Sequence, residues 1–257
     1  MRGLLRAAAR LLRLAAHLVR GAWVLRWRFA HLPLPQQHQK VQVWSARTLA
    51  LLGVELAVEG PFPSADQPVL VVANHVSWLD IATLHAVLPQ ARFVAKAEVR
   101  HWPLVGGLCR GVRTVFIERD RKRDAMRVVH DVAQALRDGD TVAFFPEGTT
   151  ADGHALLPFH ANLLQAASAS GRPVLPVALR FSDPEHAVSP VVAYVGSTTL
   201  LQSLARVLRA PRLRATVLAC TPLDSQGQER RALAQRCQAA IAARLQSIVP
   251  PPPGRWD

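Results

Sequence analysis

The chain has 257 residues, which is enough for one large α/β domain with appendages. Half of the residues are hydrophobic and 19% are charged, a balance that excludes a wholly disordered protein. The formal net charge of +13 favours polyanionic partners, namely nucleic acid, an anionic membrane surface or phosphorylated small molecules. Three widely separated cysteines without metal-ligand spacing indicate reduced thiols, so no metal site is predicted.

The first 32 residues carry seven arginines and no acidic residue. The basic side chains recur with the helical period and therefore share one face of a predicted helix, with leucines on its other sides. These positions are Arg2, Arg6, Arg10, Arg13, His17 and Arg20. Trp23 and Trp27 follow, a residue type that settles at the headgroup level of a bilayer. The arginines leave no uncharged run long enough to span a membrane.

This segment has three interpretations. An interfacial helix lying on anionic lipid is the favoured one. The alternatives are an amphipathic helix docked on its own domain and an organelle transit peptide. A second, mostly apolar helix is predicted at 41–52 and ends at Gly53. On the favoured interpretation, the predicted organisation is an amphipathic helical membrane-docking segment at 1–52, an α/β domain at 53–249 and a proline-rich tail at 250–257.

Beyond Gly53, short apolar runs alternate with helical patterns. Strands are predicted at 54–59, 69–73, 92–96, 114–117, 141–145, 174–181, 191–195 and 213–219. Helices are predicted at 79–87, 121–137, 161–170, 200–208 and 228–248. Near-continuous apolar strands between helices are typical of a buried sheet. The fold class predicted is α/β, with a mixed, largely parallel sheet flanked by helices.

Two polar clusters directly follow two of these strands. Asn74 and His75 come after the strand 69–73, and Glu147, Gly148 and Thr149 come after the strand 141–145. In an α/β sheet the carboxyl ends of parallel strands meet at one edge, where ligands usually bind. The two clusters are therefore expected to lie together.

His75 and Asp80 are the candidates for acid–base chemistry. A histidine in a loop after a strand can remove the proton of a substrate hydroxyl near neutral pH, and a carboxylate on its other ring nitrogen fixes the tautomer. The same spacing has a structural explanation, because Ser77 and Asp80 also match the start of a capped helix. The chain contains no Gly-x-Ser-x-Gly nucleophile motif, and direct attack by a substrate hydroxyl requires none.

The turn after the strand 141–145 is a candidate binding element. Gly148 permits a close backbone approach to a ligand, while Glu147 is expected to hold a basic side chain or an acceptor hydroxyl. Arg119 follows the strand 114–117 within a basic cluster. Such a cluster is by default a solvated charge run, but Arg119 is placed where it can reach a phosphate.

Four blocks in order resemble the glycerolipid acyltransferase family over residues 54–181. The first block matches Asn74, His75, Ser77 and Asp80, and the second matches Gly111, Phe116, Ile117 and Arg119. The third, Phe-Pro-Glu-Gly-Thr, is residues 145–149, and the fourth, Val-x-Pro-Val, is residues 174–177. Lys96 also lies where the family commonly has lysine before Glu-Leu.

The resemblance implies a general base, His75, and an orienting partner, Asp80. It implies as substrates a membrane lysolipid, foremost 1-acyl-sn-glycerol-3-phosphate, and the thioester of acyl-carrier protein or coenzyme A, without a separate cofactor. The implied binding residues are Asn74, Ser77, Lys96, Arg119, Glu147, Gly148 and Thr149. The implied location is the cytoplasmic face of the bacterial inner membrane, reached peripherally through the N-terminal helices.

Two departures concern the acceptor. Thr150 stands where many members have arginine, and His160 stands where many have lysine. Either another cation replaces them (Arg113, Arg119, Lys96 or His160 itself), or the acceptor is a different lysolipid such as lyso-ornithine lipid. The third hypothesis on the function is a non-catalytic basic protein that binds lipid or nucleic acid. It is disfavoured because few aromatic residues accompany the basic runs, so no nucleic-acid partner is expected.

Overall fold

A computed structural model gives the fold and describes residues 2–102, 105–117 and 122–248. One seven-stranded sheet has the order β1-β7-β6-β2-β5-β3-β4. Neighbouring strands are parallel except for β6 and β7, which are antiparallel. The strands are β1 Val54–Glu59, β2 Leu70–Ala73, β3 Ala91–Lys96, β4 Val115–Ile117, β5 Thr141–Phe144, β6 Val174–Ser182 and β7 Leu213–Ala219.

Helices cover both faces of the sheet. They are α1 Arg2–Trp27, α2 Leu34–Leu52, α3 Leu79–Val87, α4 Val105–Gly111, α5 Lys122–Arg137, α6 Gln165–Ser170, α7 Leu200–Arg209 and α8 Arg230–Gln246. Along β2, Leu70 and Val72 pack toward α5 and α8, whereas Val71 and Ala73 pack toward α3. Because alternate side chains are buried on opposite faces, the strand is apolar throughout. The predicted fold class is confirmed.

Most predicted elements are present, and β1, β7 and α3 have the predicted bounds. The strand predicted at 191–195 is wrong. This stretch is an irregular segment, and Tyr194 donates its amide to the carbonyl of Val76, 3.1 Å away. Val192 and Ala193 are buried without any strand partner. The apolar pattern thus reported burial correctly, but burial alone does not require pairing in a sheet.

Part of the basic face of α1, namely Arg6, Arg10 and His17, contacts the protein. Arg10 donates to the carbonyl of Ala210 at 2.6 Å and to those of Leu208 and Pro211 at 3.2 and 3.3 Å. Arg6 donates to the carbonyl of Arg209 at 3.0 Å. These carbonyls lie at the carboxyl end of α7, where the helix dipole favours a cation.

The apolar face of α1 is exposed. Its exposed large side chains are Leu4, Leu5, Leu11, Leu12, Val19, Trp23 and Trp27. On the inner face, Leu14 is buried and His17 Nε2 lies 3.2 Å from Thr48 Oγ1. The expectation of a basic face turned toward lipid is therefore corrected for Arg6, Arg10 and His17, because the protein's own backbone and side chains engage them. For this inner face the alternative of an amphipathic helix docked on its own domain is correct.

None of the described helices is long and apolar enough to cross a bilayer. The predicted boundary near residue 53 coincides with Gly53, which ends α2 in the left-handed conformation at φ 79°. The division into domains stays a prediction, and residues 249–257, which include the predicted tail, lie outside the described residues.

We expect Arg10→Ala to lower the free energy of unfolding by about 2 kcal/mol, because it leaves helix-end carbonyls without their charged donor. The measurement is urea unfolding, with Arg13→Ala as the control. Arg13 lies on the same helix and is exposed, and its side chain has no hydrogen bond to the described part of the chain. An equal, small effect of both substitutions would contradict this role of Arg10.

Candidate active site

A short loop, residues 74–78, joins β2 to α3 and forms the centre of the site. Asn74 begins it and is buried. Its side-chain nitrogen donates to the carbonyl of Leu179 at 2.9 Å, and its side-chain oxygen accepts from the amide of Leu179 at 2.7 Å. Asn74 therefore holds the loop against β6 through both of its described side-chain hydrogen bonds.

His75 and Asp80 are in direct contact. The Nδ1 atom of His75 lies 2.6 Å from Oδ2 of Asp80, whose side chain is completely buried, whereas the side chain of His75 is 19% exposed. A buried carboxylate at Nδ1 favours the tautomer that carries its proton there. The Nε2 atom is then the proton acceptor of the ring.

Asp80 Oδ2 also accepts from the amides of Val76 at 2.7 Å and Ser77 at 2.9 Å. Helix α3 has Trp78 as its N-cap and no side-chain cap hydrogen bond, so the predicted cap formed by Ser77 and Asp80 is absent. Asp80 Oδ2 instead holds both the ring of His75 and the backbone of the 74–78 loop. Ser77 itself is buried, and its hydroxyl accepts only a long 3.4 Å contact from the amide of Leu79. Asp80 Oδ1 is buried and has no hydrogen-bond partner among the described residues.

Phe145 stacks face to face on His75, with ring centroids 4.0 Å apart and planes 9° from parallel. Sequence reasoning assigned no separate role to this residue. The available signal was strand adjacency, because β2 pairs with β5 and Val72 lies beside Phe144. The stack and the bond to Asp80 together fix the plane of the imidazole ring.

Glu147 connects two loops. Its Oε1 accepts from the amide of His75 at 2.7 Å, and its Oε2 accepts from the amide of Leu157 at 2.9 Å. Burial raises the pKa of this carboxyl above 4.5, and the two amide hydrogen bonds oppose the rise. The predicted contact of Glu147 with an acceptor hydroxyl or a basic side chain is not among its described hydrogen bonds and stays a prediction.

The turn after Glu147 lies beside the 74–78 loop. Gly148 has a φ of 71°, which only glycine adopts at little cost, and Thr149 is exposed. The hydroxyl of Thr150 donates to the carbonyl of Tyr194. The amide of Ala151 donates to the carbonyl of His75 at 2.8 Å, so both clusters meet as expected from the strand ends.

The predicted cations have different positions. Lys96 is exposed at the carboxyl end of β3, on the edge that carries His75. Arg113 precedes β4 at the opposite edge of the sheet and binds Asp140 at 3.1 Å. The suggestion that Arg113 binds the phosphate of the acceptor is therefore wrong. His160 is exposed, and its amide donates to the carbonyl of Pro146 at 2.9 Å. Arg119 lies outside the described residues.

Comparisons with known proteins agree on one family. The Acyltransferase family model matches residues 55–180. A lyso-ornithine lipid O-acyltransferase of Pseudomonas aeruginosa is 38% identical over 247 residues, covering 95% of this chain and 94% of the relative. A 1-acyl-sn-glycerol-3-phosphate acyltransferase of Neisseria meningitidis is 39% identical over 198 residues, or 76% of each chain.

The crystal structure of the 1-acyl-sn-glycerophosphate acyltransferase PlsC from Thermotoga maritima has the same fold. Its TM-score is 0.75 at 22% identity, with 100% of this chain and 98% of that chain covered. The fold, the matched domain and a relative similar over nearly its whole length lead to the same conclusion. The chain belongs to the glycerolipid acyltransferase family and is an O-acyltransferase.

Proposed function

We propose that His75 removes the proton from the free hydroxyl of a lysolipid, which then attacks an acyl thioester. The new bond joins the hydroxyl oxygen to the acyl carbon, and the carbon–sulfur bond breaks. The departing thiolate takes the proton back from the imidazolium of His75. The observation that carries the proposal is the 2.6 Å contact between His75 Nδ1 and buried Asp80, which leaves Nε2 as the proton acceptor of the ring.

Asp80 and Phe145 support this step in different ways. A carboxylate at Nδ1 holds the reactive tautomer and stabilises the positive charge that appears when Nε2 takes a proton. The face of an aromatic ring also attracts a cation. Phe145 therefore contributes to the stability of the imidazolium, since its ring lies parallel to that of His75 at 4.0 Å.

We expect His75→Ala to lower the rate of thiol release by about 10²–10⁴-fold, because the general base is lost. The measurement uses purified protein, an acyl-coenzyme A or acyl-carrier protein thioester, and a lysolipid. His130→Ala is the control, since His130 is exposed on α5 and its side chain has no described hydrogen bond. A His75→Ala variant as fast as the wild type would refute the assignment.

Asp80 requires a paired comparison, because it binds both the ring of His75 and the backbone amides of the loop. Asp80→Asn keeps an acceptor for the amides of Val76 and Ser77 but removes the charge that supports the imidazolium. We expect a rate loss comparable to that of His75→Ala with little change in unfolding free energy. Asp80→Ala removes the acceptor as well and is expected to destabilise the fold by about 2–3 kcal/mol. Equal rates for the Asn variant and the wild type would leave Asp80 only its role of holding the loop backbone.

The acceptor proposed is 1-acyl-sn-glycerol-3-phosphate, which yields phosphatidic acid, and the donor is acyl-carrier protein or coenzyme A. The Neisseria relative is named for this acceptor. Lys96, at the correct edge of the sheet, is the described cation proposed to meet the phosphate. Arg119 is the second cation proposed.

A second acceptor, lyso-ornithine lipid, is favoured by Thr150. Its hydroxyl is bound to the carbonyl of Tyr194, so the residue at this position is uncharged and already engaged. Arg113, at the opposite edge, does not replace the missing cation. The Pseudomonas relative, named for this acceptor, is also similar over 95% of the chain.

Competition between the two lysolipids decides the acceptor. With equal concentrations in one vesicle preparation, we expect lysophosphatidate to be acylated at least about tenfold faster, a difference of about 1.4 kcal/mol in transition-state binding. Mass spectrometry of both products gives the ratio. Preference for lyso-ornithine lipid would overturn the proposed acceptor while leaving the chemistry of His75 intact.

The exposed apolar face of α1 is proposed to enter the acyl boundary of a bilayer, at the cytoplasmic face of the bacterial inner membrane. Leu5 and Leu12 are 69% and 72% exposed on this face. Water-exposed leucines and tryptophans on one helix face bind membranes by burying apolar area. The family's lipid substrates agree with this location.

We expect the double variant Leu5→Glu, Leu12→Glu to reduce binding to phosphatidylglycerol vesicles at least about tenfold, since two buried leucines contribute well over 1.4 kcal/mol. Cosedimentation with vesicles measures it. Met126→Glu is the matched control, because Met126 is 78% exposed but lies on α5. Unchanged binding of the double variant, or an equal loss in the control, would contradict the proposal.

A further inference from the structure

Trp78 lies in the 74–78 loop, directly between Ser77 and the first residue of α3. Its indole Nε1 donates a 3.0 Å hydrogen bond to the hydroxyl of Ser203 on α7. Ser203 is completely buried. A side chain 125 positions away in sequence thus holds the loop that carries His75, through a contact that neither the family blocks nor the acid–base chemistry explains.

Ser203 is a fixed acceptor because both ends of α7 are anchored. At the amino end, Thr199 and Gln202 form a capping box with bonds of 2.9 and 3.3 Å. At the carboxyl end, Arg6 and Arg10 of α1 bind the last carbonyls. A helix capped at both ends has little freedom to fray, so the position of Ser203 is well defined.

The same region is continuous in its packing. One apolar cluster joins α1, the 74–78 loop and α7 through Leu14, Val76, Leu79 and Val207, all buried. Trp78 packs against this cluster. Apolar packing is not directional, so it does not by itself fix the orientation of the indole ring. The hydrogen bond to Ser203 fixes that orientation.

We propose that Trp78 and Ser203 are positioning residues for the reaction. By fixing the backbone at position 78, they keep the amide of Ser77 on Asp80 Oδ2, and through that carboxylate they set the orientation of His75. The inference rests on the proposed roles of His75 and Asp80. A misplacement of a catalytic group by about 1 Å can cost about 10²-fold in rate, so a contact of this kind affects turnover without touching substrate.

Two single substitutions and their combination test the contact. Trp78→Phe keeps an aromatic ring and removes only the N–H donor, and Ser203→Ala removes only the acceptor. We expect each variant to lower kcat about tenfold, with the KM for acyl thioester and for lysolipid unchanged. The double variant should be no slower than either single variant, because both remove the same interaction.

The chain offers matched controls for both changes. Trp44→Phe removes an indole N–H that has no hydrogen-bond partner among the described residues, and the ring of Trp44 stacks on His17. Ser168 lies on α6, and its hydroxyl donates to the carbonyl of Gln228 at 3.0 Å. Ser168→Ala removes this hydroxyl. Both controls are expected to keep the wild-type kcat.

Three results would overturn the inference. The first is an unchanged kcat in Trp78→Phe and Ser203→Ala. The second is a double variant whose loss equals the product of the two single losses. The third is a loss that disappears when the rate is divided by the folded fraction, measured by circular dichroism at the assay temperature. Failure of the proposed function is distinguishable, since it requires His75→Ala to retain activity whatever the other variants do.

Discussion

One oxygen atom of Asp80 organises the site. Its Oδ2 accepts from the imidazole of His75 and from the amides of Val76 and Ser77, all within 2.9 Å. A buried carboxylate is stable only when its charge is compensated by donors, and here the donors are two amides of the 74–78 loop and the ring that performs the proposed chemistry. The same oxygen atom therefore fixes the conformation of the 74–78 loop and the orientation of the general base, so these two features are difficult to change separately.

The neighbouring loops complete this constraint through their backbone. Glu147 binds the amide of His75, Ala151 binds the carbonyl of His75, and Tyr194 binds the carbonyl of Val76. These contacts satisfy the polar groups of a loop that regular secondary structure cannot pair. Several residues of the family blocks, including Asn74 and Glu147, thus serve first to hold the backbone. Catalytic geometry here depends on buried polar side chains as much as on the reacting groups.

Periodicity and strand ends predicted most of the sheet and the meeting of the two polar clusters, while the resemblance to the family blocks assigned His75 and Asp80 as a pair. These patterns predict which residues are buried but not which residues they contact, and the predictions failed on that point. The apolar stretch 191–195 is buried beside the 74–78 loop without joining the sheet, and Arg113 lies at the opposite edge from the site it was expected to serve. The stack of Phe145 on His75 required the strand order, which depends on long-range pairing that local sequence does not encode.

The amphipathic first helix shows the same limit, and its orientation changes the meaning of the chain's charge. Amphipathicity predicts two faces but does not assign them, and here the cations Arg6 and Arg10 bind helix-end carbonyls while leucines face outward. Part of the net charge of +13 therefore stabilises the protein itself. Under the proposed membrane contact, apolar insertion holds α1 in the bilayer, and its arginines hold α7. Since α7 binds Trp78 through Ser203, the helix at the membrane and the loop of His75 belong to one mechanically continuous unit.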